Sequence, residues 1–387
     1  MKTHLPLLAV LVLGGSAAWG YDPTGKPKFQ YVSEGIAVPA AHPDEPKVPA
    51  FGVESVKAAA RYLDDGAHAW VRERTCLACH STGVYMVERP VVTKWLGRPS
   101  DEVHASFADS APKSLGKPGD SPQVPIWRSS GLASWDRYVE GKLSEATDRS
   151  LRHMVSIYPD DAMYATIKLV EIPYITTRFE LTVQAMRAMV TAPGWLENLR
   201  EPALLAKVER MKKHLREHQP IHDYERALKL QLANLTPDLV SAEEREAAIA
   251  MLWQKQLPDG GWSTRRMAEP ERWRLEIHPP TPRQPWKEPV DPFVVKLIRS
   301  LPDADNPGSD PYMTAFAIVL LREAGVPASD PRLQRGIRWL KENQRVSGRW
   351  WMHSLYRGNY HYITYIATAQ ALRALALCDE LPVIAQR

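Results

Sequence analysis

Apolar positions recur at three- and four-residue spacing through most of the chain. They do so over Val53–Leu63, Ser144–Val155, Phe179–Val190, Leu204–His218, Tyr224–Leu232, Ala242–Gln254, Met313–Glu323, Arg332–Asn343 and Tyr365–Cys378. That spacing puts them on one stripe of an α-helix. No convincing series of alternating apolar and polar residues stands beside them, so the pattern predicts an all-α fold. Residues 21–50 show neither period and are rich in Pro, which reads as an extended N-terminal arm or linker.

The first twenty residues carry a different pattern. Lys2 and His4 precede an apolar run from Leu5 to Leu13, small residues follow, and Ala18-Trp19-Gly20 fits a small-x-small cleavage site. The run is short for a bilayer span of about 20 residues. Residues 1–20 are therefore expected to be a cleaved signal peptide, which implies export to the periplasm with no membrane span left after cleavage.

The 387 residues are enough to bury a sizeable core. Forty-nine basic and 45 acidic side chains leave a net charge of only +4. That near-balance argues against a nucleic-acid partner, which calls for a basic excess. Only Cys76, Cys79 and Cys378 are present, too few for a disulfide-stapled exported domain. Cys378, on the last helical segment, reads as a buried free thiol with no assigned role.

Residues 75–81 read Thr-Cys-Leu-Ala-Cys-His-Ser. Two cysteines three apart put both thiols on one side of a turn, where each can form a thioether to a haem vinyl group. His80 then points its imidazole at the iron from the same side. A reactive dithiol would want a βαβ context, and a zinc site a second ligand pair; neither is present. The expectation is one covalent haem c on Cys76, Cys79 and His80. The sixth iron ligand is open: His68, His104, His153, His353 and His361 are conceivable, Met86 lies close in sequence, and an empty sixth position is a further alternative.

Three helix ends share a pattern: His214 to Gln219, Met251 to Gln256 and Trp339 to Gln344 each carry a Leu and a terminal Gln. The terminal Gln residues follow a step of roughly forty residues, once and then twice over, which suggests stacked helical hairpins. Gln256-Leu-Pro-Asp-Gly-Gly-Trp262 and Gln344-Arg-Val-Ser-Gly-Arg-Trp350 also place Gly and Trp after the Gln. Gly lets the chain leave the helix, the Gln amide can bond a neighbouring helix end, and the Trp covers the junction.

These segments resemble the QW repeats of the squalene-hopene cyclase and prenyltransferase superfamily. Arg335-Gly336 through Trp350 is the closer match, and Thr314-Ala315 and Thr368-Ala369 resemble the inner helices that follow. The likeness runs over about residues 240–380. It implies an α/α toroid over residues 51–387, with paired helices around a central cavity and the haem attached at residues 76–80 in a toroid turn. A small N-terminal cytochrome lobe over roughly residues 51–140 is the alternative. The family's Asp-x-Asp-Asp acid motif is reduced here to Asp310-Pro311-Tyr312-Met313, with Tyr312 where the acid would stand. A phenol cannot protonate an alkene, so no cyclase activity is expected.

Three functions fit. The first is an electron-transfer protein with a periplasmic redox partner. The second is a haem-dependent oxidoreductase acting on a small or apolar organic ligand in the toroid cavity, with Tyr312, His353 and His361 as catalytic candidates. Trp350, Trp351, Tyr360 and Tyr362 would line the pocket or cover the haem, and the Pro-rich loop from Glu269 to Pro292, holding Trp273, His278 and Trp286, would serve as a lid or a surface excursion. The third is a non-catalytic haem-bearing docking subunit.

Overall fold

The computed structural model describes residues 29–74, 77–118, 120–164, 177–273, 292–355 and 360–384; for residues 292–294, 360 and 361 it describes the backbone alone. The signal-peptide expectation for residues 1–20 therefore falls outside the described residues. The chain is mostly helical, and twelve of its helices alternate in character. The odd-numbered ones are α1 Val53–Glu73, α3 Asp101–Asp109, α5 Glu145–Ser156, α7 Pro202–Glu217, α9 Ala242–Lys255 and α11 Pro331–Asn343. Each buries one stripe, such as Leu204, Val208, Met211 and Leu215 of α7, and gives a charged face to solvent. The even-numbered ones are α2 Thr82–Glu88, α4 Gln123–Trp135, α6 Arg178–Thr191, α8 Asp223–Leu235, α10 Pro311–Glu323 and α12 Tyr360–Leu377. These are buried on nearly all sides: α4 keeps only Val124 and Arg128 out of the core, and α2 keeps nothing out.

Helices buried all round must be surrounded by other helices. Accordingly α2 packs on α4, α4 on α6, α6 on α8, α8 on α10, α10 on α12, and α12 back on α2. The six close a ring, and the amphipathic helices lie outside it against their inner neighbours. Helix starts are written in the local sequence. Ser144, Thr177, Ser241 and Asp310 each accept a backbone N–H three residues on, and Pro202, Pro311 and Pro331 open their helices.

The Gln–Gly–Trp segments tie the outer layer together. The Gln256 amide donates to Gly260 O (2.8 Å) and to Arg332 O at the start of α11 (2.8 Å), while Trp262 Nε1 donates to Leu252 O. Gln344 repeats this one step on, donating to Gly348 O (3.0 Å) and to Ser55 O at the start of α1 (2.9 Å). The second tie joins the last outer helix to the first. Gly348 sits at φ 87° with a Cβ position 2.3 Å from the Ala58–Ala59 backbone, so no other residue fits there.

The arm is more structured than its composition suggested. Phe29–Ser33 (β1) pairs antiparallel with Ile36–Pro39 (β2) across a Glu34-Gly35 turn, and the hairpin packs on α1. A bulge between Phe29 and Tyr31 turns both Gln30 and Tyr31 inward, which erases the alternation a strand would show in sequence. Beyond it, Val48 N–H donates to Gln344 O (2.8 Å) and Val346 N–H to Pro46 O (2.9 Å), strapping the arm across the seam between α11 and α1.

Candidate functional site

The six inner helices run in the same direction. Residues from their first turns, such as Glu180, Tyr224 and Tyr312, line one axial cavity; residues from their last turns, such as Thr191, Leu235 and Glu323, line a second. The ring therefore has an amino pole, where the inner helices begin, and a carboxyl pole, where they end.

Residues 77–81 form the turn between α1 and α2, at the amino pole. The turn is pinned from within: Gly83 N–H donates to Ala78 O (2.6 Å) and Ala78 N–H to Thr82 Oγ1 (3.0 Å). A Cβ on Gly83 would stand 2.7 Å from Ala78 O and 3.3 Å from the Trp127 ring, so glycine is needed for the close approach. Cys79 and His80 are both half-buried, with Cys79 Sγ 4.0 Å from His80 Nδ1. The imidazole lies between two aromatic rings. Trp70, in the last turn of α1, meets it edge-on (centroids 5.1 Å apart, 83° between planes), and Tyr362, in the first turn of α12, lies 3.7 Å away. A thiol and an imidazole on one rigid turn, walled by aromatic side chains, are a donor set that fits the attached side of a c-type haem. Cys76 lies outside the described residues.

The remaining candidates separate by position. His353 lies on the strand-like run 350–355 that returns alongside α12, held by Met352 N–H to Thr364 Oγ1 (3.2 Å); its Nδ1 is 2.7 Å from Ser354 O. That run leads to the start of α12, so His353 shares a pole with His80. The backbone of His361 is at the same place, and its side chain is outside the description. His104 stacks on Trp135 (4.2 Å, 15°), the last residue of α4, and so belongs to the opposite pole. An inner helix the length of α4 spans about 20 Å, so His104 and His80 cannot share one iron. Met86 is fully buried against Gly131 and Phe107 in the seam with α4. His68 Nε2 is engaged by Ser100 Oγ (2.6 Å), and His153 Nδ1 by Ser114 O (3.0 Å).

Tyr312 is on the axis, where its hydroxyl meets that of Tyr224 (2.8 Å), which lies 3.0 Å from Glu180 Oε1. Burial holds both phenols well above their ordinary value, which rules Tyr312 out as a strong acid. The cavity it lines is about 40 Å3, room for about three water molecules. Gln184, Gln231, Gln370 and Arg187 share the wall. The chamber is thus small, and its wall is mixed, with Val84, Leu228, Phe316 and Ile366 beside these polar groups. Trp350 is not a cavity residue; its indole donates to Leu340 O inside the closing seam. Trp273 covers the amino pole against His222 and Tyr224, while residues 274–291, including His278 and Trp286, lie outside the described residues.

Sequence reasoning missed the charged layer that divides the axis. Glu88 of α2 accepts from Arg187 of α6 (2.9 Å), Arg373 of α12 (2.9 Å) and Gln370 (3.1 Å), and Arg373 also pairs with Glu323 of α10 (2.5 Å). Burial alone would push the Glu88 carboxyl up, but the two guanidinium groups outweigh it and hold the acid at about 2. Asp310, the helix cap that survives from the expected acid motif, has the opposite environment. It is half-buried and accepts from Met313 N–H and Thr264, and desolvation of its carboxyl pushes it up to about 6.

No family model matches the chain, and no curated protein matches it. Among solved structures, the type II terpene cyclase MstE from Scytonema is 13% identical over 85% of this chain and 98% of its own, with a TM-score of 0.43. A glycosidase variant is 13% identical over 85% and 87%, with a TM-score of 0.39, and the wild-type glycosidase 11% identical with 0.38. Likeness this loose bears on neither chemistry nor substrate.

Proposed function

We propose that the chain is an exported mono-haem c-type protein of the periplasm, with the porphyrin bonded to Cys76 and Cys79 and the iron held by His80. The observation that carries this is the pinned turn presenting Cys79 and His80 side by side, with Cys76 three residues upstream. Bound there, the haem supplies one-electron chemistry. The chain's residues orient it: the Gly83 and Thr82 hydrogen bonds fix the turn, and Trp70 and Tyr362 fix the imidazole plane and exclude water from its faces. The half-exposed turn at the rim of a ring suits electron exchange with a partner protein, so transfer is the first reading. The toroid kinship of the Gln–Gly–Trp segments belongs to the same proposal, as does the absence of cyclase chemistry.

A second reading, a haem-dependent oxidoreductase, is favoured by one observation. The axial chamber lies at the same pole as the haem-attachment turn. Its volume admits only a small substrate. His353 and His361 are the candidates for the sixth ligand or for a role on the open side of the iron. A haem-bearing docking subunit needs no more than the first reading's geometry.

The test is to mature the protein in a periplasm equipped for c-type haem attachment. The expected product carries porphyrin mass that survives denaturation and shows Soret absorption, and both vanish in Cys76→Ala/Cys79→Ala. Protein without either signal would end the haem proposal. Carbon monoxide then separates the readings. A reduced form that ignores it has a sixth protein ligand and suits transfer; a form that binds it suits catalysis.

A further inference from the structure

The carboxyl pole holds a second and larger pocket, about 260 Å3, on the far side of the Glu88 layer from the haem-attachment turn. We infer that it binds a small organic cation, a primary ammonium ion on a short apolar stem. Charge is the first ground. Arg187 and Arg373 line the pocket, but Glu88 accepts from both and Glu323 pairs with Arg373, so two carboxylates balance the two guanidinium groups. The remaining field comes from the backbone. Helices α6, α8 and α10 end here, at Thr191, Leu235 and Glu323, and all three residues line the pocket. The last turn of a helix carries unpaired carbonyls and a partial negative charge, which favours a cation and opposes an anion. Pro193 and Pro237 stand four residues after Met189 and Ala233, and neither has an N–H to give those carbonyls.

The wall also holds acceptors that are not buried away. Glu323 gives Oε1 to Arg373 (2.5 Å), and among the described residues nothing donates to its Oε2. Its side chain is 26% exposed against 8% for Arg373, so the carboxylate stands nearer the opening than the guanidinium it pairs with. Thr191, half-buried, has a hydroxyl that likewise meets no partner among the described residues. A primary ammonium group carries three N–H donors and no acceptor, which matches a carboxylate oxygen, a hydroxyl oxygen and a helix-end carbonyl. A quaternary ammonium ion has no N–H to give. A divalent metal ion calls for more oxygen ligands in a fixed geometry. The pocket wall has one carboxylate, and among the described residues no three acidic, His or Cys side chains gather to hold a metal.

Shape agrees. Val87, Ala188 and Leu235 supply an apolar wall for the stem, and Tyr138, 46% exposed, gives a cation an aromatic neighbour. The volume lies near the small end of ligand pockets, about 300 Å3, which suits a stem of a few carbons. This site is independent of the haem, and its test does not need the haem to be present.

The experiment is equilibrium binding by calorimetry on the purified protein at neutral pH. The probes are ethyl-, propyl- and butylammonium and ethanolammonium, with butanol, butyrate and tetramethylammonium as the neutral, anionic and quaternary controls. At least one primary ammonium ion should bind saturably, and each control at least tenfold more weakly. Glu323→Gln keeps the shape and removes the charge, while Thr191→Trp fills the pocket from the last residue of α6. Each should weaken ammonium binding at least tenfold, with melting temperature used to confirm folding. Failure of every ammonium probe overturns the inference. So does a control that binds as well as the ammonium ions, or ammonium binding that survives Glu323→Gln or Thr191→Trp in folded protein.

Discussion

Replacing Glu88 with Gln tests the polar layer at the centre of the ring. Glu88 is 4% exposed and Arg373 8%, so neither charge can turn to water when its partner is lost. The ordinary glutamate value is 4.5, and the two arginines hold Glu88 at about 2. That difference converts, at about 1.36 kcal/mol per pH unit, to about 3 kcal/mol favouring the folded state. Removing one member of a buried ion pair independently costs about 3–5 kcal/mol, so the two routes agree. The sign follows from the depressed value: the contribution is complete above pH 4.5 and disappears as pH falls towards 2. Urea unfolding followed by circular dichroism should therefore show Glu88→Gln less stable by about 3 kcal/mol at pH 7. The gap from wild type should narrow on acidification below 4.5. A gap under about 1 kcal/mol at pH 7, the scale of an exposed pair, would refute the reasoning. So would a gap that does not change with pH.

Asp310→Asn should act in the opposite sense in its own window. Its raised value means that wild type loses stability as pH rises from 3.8 through about 6, and the variant, which keeps a capping oxygen, should flatten that part of the stability–pH curve. Gly348→Ala should lower stability by about 2 kcal/mol or more, since a left-handed backbone and a 2.3 Å contact oppose the new methyl group; a thermal melt within a degree of wild type would refute this. Gln344→Ala should cost about 1–3 kcal/mol in urea by leaving the Ser55 and Gly348 carbonyls unpaired. Gln256→Ala, whose tie to Arg332 is exposed, should cost less. Tyr362→Ala should leave haem attachment intact while broadening or shifting the Soret band, because His80 loses one of its two walls.

Most helices were legible in sequence: the outer α5, α7, α9 and α11 fall within a residue or two of their periodic segments, and the inner α6, α8, α10 and α12 each overlap one. The outer α3 and the inner α2 and α4 were not found. Helix α4 contains Ser129, Ser130, Gly131, Ala133 and Ser134 where neighbours press from every side, and such a run has no apolar stripe to detect. Helix α2 is short and begins directly after the Cys–His turn, so its pattern was lost in the motif. The haem-attachment residues were plain because their spacing is local. The Glu88 layer was invisible for the converse reason: its partners stand 99 and 285 residues away.

On the export reading, in which the chain is threaded through a membrane amino end first, the closed ring also dictates an order of events. Until α12 arrives, the flanks of α2 and α10 have nothing against them, and the turn bearing Cys79 and His80 lacks its Tyr362 wall. On the haem reading, that interval is when a ligation enzyme has open access to both thiols. Arrival of the final helix would then shut the cofactor in, making assembly of the ring the last step of maturation.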